Sequence, residues 1–151
     1  MCAFYATEIF DHPRLANVDY YFRLDTDSYI EAPSCYDPLE IMYQQKLAYG
    51  YRAYGRDAAF ATRGMWSLVD DWARKHPQVE QRLDKNGWQW PKKRVRKDML
   101  GADFPAFSNN FEIVHLDAFR KPEIRKWFQE IKSVPERIYK YRWGTSSTLE
   151  I

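Results

Sequence analysis

Two aspartates stand two residues apart in Asp25-Thr26-Asp27, directly after the aromatic and apolar run Tyr20-Tyr21-Phe22-Arg23-Leu24. The run reads as a buried strand that passes into a polar loop. Carboxylates at that spacing can both turn toward one hard divalent cation, and carboxylate oxygen suits Mg²⁺ or Mn²⁺ better than soft metals. A cation held there can bridge a diphosphate and neutralise charge on a departing nucleoside diphosphate. In open α/β sheets ligands sit outside the carboxyl ends of strands, which is where these aspartates fall. The plainer alternative is a solvated turn.

Glu112 is the second candidate, between Phe111 and Ile113 and after the polar triplet Ser108-Asn109-Asn110. A carboxylate with apolar neighbours at a strand start can be partly buried, with the shifted pKa of a nucleophile or general base. A strand glutamate that points outward to water is the alternative. A third feature, Lys92-Lys93-Arg94-Val95-Arg96-Lys97 after Trp88 and Trp90, offers cations for phosphates and planes for stacking bases or sugars, or simply a solvated loop. His12, His76 and His115 show no paired ligand spacing, and the glycines are isolated, so neither a histidine metal site nor a glycine-rich phosphate loop is indicated.

The elements that must position these groups follow from periodicity. Asp37-Pro38-Leu39-Glu40 reads as a helix start, with Asp37 as cap, Pro38 at the first helical position and Glu40 closing a capping box. Ala48 to Tyr54 alternates small or charged with aromatic residues and is expected as one strand ending at Gly55. Met65, Leu68, Val69, Trp72 and Ala73 form the stripe of an amphipathic helix that Pro77 ends. Phe111-Glu112-Ile113-Val114 reads as a short strand, and Ile124, Trp127, Phe128 and Ile131 mark a helix opening near Pro122 and Glu123. Strands thus alternate with helices, which favours an α/β sheet over a sandwich or bundle.

The 151 residues have room for one modest domain, and 45% hydrophobic residues can bury a core. The aromatic share of 17% calls for a dense core, a larger partner, or a ligand with flat apolar faces. A net charge of +2 gives no global field toward nucleic acid or an anionic membrane. No window approaches the roughly 20 apolar residues of a membrane helix. Cys2 and Cys35 can make at most one bridge and have no metal-ligand spacing.

Several segments together resemble the fungal α-1,2-mannosyltransferase family, glycosyltransferase family 15. They are Met1-Cys2 leading into Phe4, Tyr20-Tyr21-Phe22-Arg23 with its acidic motif, Tyr36-Asp37-Pro38-Leu39, Tyr49-Gly50-Tyr51, Ser108-Asn109-Asn110-Phe111-Glu112-Ile113, and Tyr141-Arg142-Trp143-Gly144. The resemblance implies a nucleotide-diphospho-sugar transferase (GT-A-like) fold, a central mixed sheet flanked by helices, with residues 1–151 as a single and incomplete catalytic domain. It implies retaining transfer of mannose from GDP-mannose, with Mn²⁺, to mannose hydroxyls of protein-linked glycans by a Golgi type II membrane enzyme. The implied partners are a sugar-nucleotide donor and a glycan acceptor, without nucleic acid, and a membrane only through an anchor outside this chain.

By the same resemblance Asp25 takes the place of the metal-binding Glu of the family's Glu-Pro-Asp motif, and Asp27 its final Asp. Glu112 matches the glutamate proposed as nucleophile or as stabiliser of the oxocarbenium-like transition state, and Arg23 is a candidate for pairing with the diphosphate. The family follows Arg-Trp-Gly with Asp, where this chain has Thr145-Ser146-Ser147, and its later metal-binding histidine has no counterpart before Ile151. A non-catalytic remnant that binds sugar or a partner is the rival reading, and a basic nucleic-acid module built on Lys92 to Lys97 is a third.

Overall fold

The computed structural model describes residues 3–58, 60–79, 81, 104–108, 110–141 and 143. Cys2, Trp88, Trp90, the basic stretch Lys92 to Lys97, Asn109, Arg142, and Gly144 to Ile151 lie outside them. Short helical turns occupy residues 4–15, and strand β1 follows at Tyr20–Leu24. Then come helix α1 (Pro38–Gln44), strands β2 (Tyr49–Tyr51) and β3 (Tyr54–Asp57), and helix α2 (Met65–Lys75). Strands β4 (Phe104–Phe107) and β5 (Phe111–His115) lead into α3 (Leu116–Phe119), α4 (Pro122–Lys132) and α5 (Pro135–Tyr139).

β5 is the middle strand of a three-stranded sheet in the order β1-β5-β2, while β3 and β4 pair separately. The expected alternation of strands and helices around a central sheet is present. Every described ladder is antiparallel, however, where a mixed sheet was expected. The register sets Arg23 opposite Glu112 on one side of β5 and Tyr51 opposite it on the other.

The predicted helices form where periodicity put them. Asp37 caps α1 by accepting hydrogen bonds from the backbone N–H groups of Leu39 and Glu40, at 2.8 and 3.4 Å. The capping box is only half made, because the Glu40 carboxylate turns along the helix to accept from Gln44 Nε2. α2 buries Met65, Leu68, Val69, Trp72 and Ala73, and it stops before Pro77 because the residue preceding a proline avoids helical backbone. Gly64, at φ +83°, supplies the left-handed turn that opens this helix.

Two expectations about strands are corrected. The single strand from Ala48 to Tyr54 is two: the chain leaves the β5 sheet after Tyr51 and enters the β4 pair at Tyr54. The run Tyr20–Leu24 is half-buried rather than buried. β1 has one paired edge among the described residues, and its alternation leaves Phe22 and Leu24 exposed on the face away from the core.

Both faces of β5 are covered at its centre. Val114 joins the main apolar cluster with α2 and α4, where Trp72 meets Trp127 edge-on at 5.4 Å. Ile113 points to the opposite face, where α1 sets Met42 against Gly50, so that a Cβ at position 50 would stand 3.0 Å from the Met42 sulfur. Phe10 is the keystone of the main cluster, stacked between Phe119 at 5.2 Å and Phe128 at 5.1 Å. Arg120 secures the same N-terminal turns by donating to the carbonyls of Phe10 and Leu15, and Arg125 pairs with Asp11.

Phe10→Ala removes a fully buried ring from between two others and is expected to cost about 3–5 kcal/mol of stability. The same change at exposed Phe60 should stay within about 0.5 kcal/mol. Urea denaturation of the two variants against the parent chain checks both values.

Candidate functional site

The acidic motif begins where β1 ends. The Asp25 N–H donates to the Asn110 carbonyl at 3.0 Å, continuing the ladder by one rung, and the Ser28 N–H returns to the Asp25 carbonyl at 2.9 Å. That closes a four-residue turn with Thr26 and Asp27 at its tip. The two carboxylates have different surroundings. Asp25 is held by Arg23, whose Nη2 donates to its Oδ1 at 3.0 Å. Asp27 is exposed and lines a cavity of about 690 Å³ together with Tyr36, Tyr51, Arg52, Asn110 and Phe111.

Glu112 is fully buried, so the outward alternative fails. Its carboxylate accepts a hydrogen bond on each oxygen: Tyr21 Oη donates to Oε1 at 2.9 Å and Tyr49 Oη to Oε2 at 2.7 Å. These tyrosines lie on the two flanking strands, each two residues from Glu112's paired position and on the same face of the sheet. Arg23 Nη1 stands 3.6 Å from Oε1, an ion pair beyond hydrogen-bond length. The Tyr5 ring covers the guanidinium, 4.3 Å from ring centre to Cζ.

The electrostatics follow from burial. Desolvation pushes the Glu112 carboxyl above its ordinary value, and the Tyr49 and Tyr21 hydroxyls and Arg23 pull it partly back. Burial and the neighbouring Glu112 drive the Tyr21 phenol far above its usual range, so it remains a donor and cannot act as a base. Burial works against the charge on Arg23, but Glu112 and Asp25 outweigh it and hold the guanidinium more firmly protonated.

The structure therefore links Arg23, Asp25 and Glu112 through one guanidinium and places Asp27 on the cavity side. Among the described residues no group of three or more His, Cys, Asp or Glu side chains is placed to hold a metal. Asp25 and Asp27 fit a hard cation that keeps waters and shares phosphate oxygens, and they do not fit a cage built of protein alone. Sequence reasoning missed Tyr5, Tyr21 and Tyr49, because their roles depend on pairing between distant segments. The basic stretch that carried the nucleic-acid reading lies outside the described residues, as does Cys2, and Cys35 is a free, exposed thiol. Also among the described residues, no helix is long and apolar enough to cross a membrane.

Comparison with known proteins places this geometry in context. A family model described as glycolipid 2-alpha-mannosyltransferase matches residues 1–151. The chain is 28% identical to the probable mannosyltransferase KTR4 of Saccharomyces cerevisiae over 95% of its own length and 32% of that protein's. It is 26% identical to O-glycoside alpha-1,2-mannosyltransferase homolog 2 of Schizosaccharomyces pombe over 95% of its length and 37% of the relative's. The chain thus spans about a third of the length of these curated relatives. Among solved structures, S. cerevisiae Ktr4p in complex with GDP superposes with a TM-score of 0.77 at 27% identity, covering 98% of this chain and 38% of that one. Core-mannan synthase A of Aspergillus fumigatus, in its Mn/GDP form, shares the fold with a TM-score of 0.80 at 24% identity, over 98% and 40% of the two chains.

The raised Glu112 value fixes the sign of a pH effect. The folded chain holds this proton to higher pH than the unfolded chain, so the stabilisation is complete below the ordinary value of 4.5 and is lost as pH rises through the folded value. Urea denaturation between about pH 4 and 8 should show the parent chain losing stability across that window relative to Glu112→Gln. Parallel profiles for the two would contradict the assignment.

Proposed function

The chain belongs to the glycolipid 2-alpha-mannosyltransferase family, and from that membership we propose that it forms the acidic-motif half of a glycosyltransferase site. The reaction proposed is retaining transfer of mannose from GDP-mannose to a mannose hydroxyl of a protein-linked glycan, in the Golgi lumen. The observation that carries this reading is the linked set Asp25, Arg23 and Glu112 at the end of β1, with Asp27 opening onto the adjoining cavity. The GDP complex of Ktr4p, at 27% identity, supports a guanine nucleotide as the donor's leaving part.

In this reading Asp25 and Asp27 hold Mn²⁺, and the cation, when bound, offsets charge on the departing diphosphate. Arg23 lies close enough to Asp25 to add a second positive group on that side of the donor. The cavity beside Asp27 has a size common for small-ligand sites, and Tyr36 and Tyr51 give it flat apolar faces suited to a hexose ring. Asp27 and Asn110 supply acceptors for sugar hydroxyls.

Glu112, once ionised, supplies a negative charge held in place by Tyr21, Tyr49 and Arg23. Both its oxygens already accept phenol hydrogen bonds, and such bonds stabilise a carboxylate and lower its nucleophilicity. That arrangement favours stabilising an oxocarbenium-like transition state by charge over a covalent glycosyl intermediate. It also weighs against the remnant reading, since a sheet needing only strength would gain more from an apolar residue at this position.

Calorimetric titration of GDP-mannose into the chain, with and without Mn²⁺, tests the proposal. Binding should require the cation, and Asp25→Asn and Asp27→Asn should each weaken it at least about tenfold, or about 1.4 kcal/mol. Binding that ignores both cation and carboxylates, or no binding in a chain shown to be folded, would leave the remnant reading in its place.

A further inference from the structure

We propose that Tyr21, Tyr49 and Glu112 are positioning residues for Arg23, and that Arg23 in turn fixes the Asp25 carboxylate. The consequence for donor binding rests on the reading of Asp25 given above. The mechanical part stands on geometry alone.

Arg23 has three neighbours that together determine where its plane lies. Nη2 is bonded to Asp25 at 3.0 Å, Nη1 faces Glu112 at 3.6 Å, and the Tyr5 ring covers the guanidinium face. Nη1 is buried with no hydrogen-bond partner, so the charge of Glu112 is what compensates it. If that charge is removed, the buried end of the guanidinium loses its counterion. The arginine then gains by rotating toward water, and Asp25 loses its partner.

Glu112 can hold this position only while it stays an oriented, buried carboxylate. Its orientation is set from two sides, by Tyr21 on β1 and Tyr49 on β2. Each hydroxyl donates to a Glu112 oxygen, and that carboxylate links both tyrosines to Arg23. A lysine at position 23 would keep the charge yet could not span two carboxylates from one rigid plane.

The readout is the guanidinium itself, followed in the whole chain by ¹⁵N NMR. A guanidinium held at both ends rotates slowly about its Nε–Cζ bond and gives separate Nη signals, which Arg23→Lys identifies by their loss. Tyr21→Phe/Tyr49→Phe and Glu112→Gln should merge these signals while backbone amides stay dispersed. Tyr49→Phe alone, which removes one hydroxyl and keeps the ring, should broaden them. Unchanged Arg23 signals in a folded Glu112→Gln or double variant would overturn the proposal. Loss of the dispersed amide spectrum even in Tyr49→Phe would overturn it too, by making the network a requirement of the sheet alone.

A second arm separates this proposal from the functional reading. If the parent chain binds GDP-mannose with Mn²⁺, the double variant should bind it about tenfold more weakly, close to Arg23→Lys. If the parent binds no donor, the reading of Asp25 falls, and the guanidinium signals still decide whether the tyrosines position Arg23.

Discussion

A carboxylate without solvent contact in the middle strand of a small sheet is the constraint to which the surrounding residues answer. An ionised Glu112 is costly to bury, and close donors and a cation offset part of that cost. The two donors come from different strands, so the sheet must hold β1 and β2 in one register for both bonds to form. A slip of one residue in either strand would turn its tyrosine to the opposite face and leave an oxygen bare. The Tyr21 and Tyr49 bodies also pack against the apolar cluster beneath the sheet, which ties this polar network to the burial of Phe10, Val114 and the helices.

Arg23 extends the same constraint outward. It lies opposite Glu112 in the ladder, and its guanidinium also reaches Asp25, two residues further along and outside the sheet. Information about where Glu112 sits is carried to the loop by one rigid planar group, because a guanidinium pairs with carboxylates in a fixed geometry. Tyr5, from the helical turns near the N-terminus, covers that group on one face. Three distant stretches of chain therefore meet at a single arginine.

Much of this scaffold was legible in the sequence. Helical stripes from Met65 to Ala73 and from Ile124 to Ile131 announced the two long helices, and Asp37-Pro38 announced α1, because caps and periodicity are local signals. The place of Asp25 just past a strand was legible for the same reason. What stayed hidden depended on partners far along the chain. Tyr49 and Tyr21 lie 63 and 91 residues from Glu112, and nothing in their own neighbourhoods distinguishes them from other aromatics. The break at Arg52 and Ala53 was equally hidden, since alternation runs through it unbroken and only the choice of β5 or β4 as partner divides the strand.

The separation of Asp25 from Asp27 has a structural logic of its own. A turn tight enough to return the Ser28 N–H to the Asp25 carbonyl exposes the residues at its tip, so Asp27 meets the cavity while Asp25 stays with Arg23. One carboxylate is thereby paired within the protein and the other stands exposed beside the cavity. Hard divalent cations suit such a division, because they retain water and take phosphate oxygens readily where few protein donors surround them. In the reading proposed above, Arg23 both competes with a cation for Asp25 and holds that carboxylate in one orientation. The balance between the two effects is set by how firmly Glu112 holds the other end of the guanidinium.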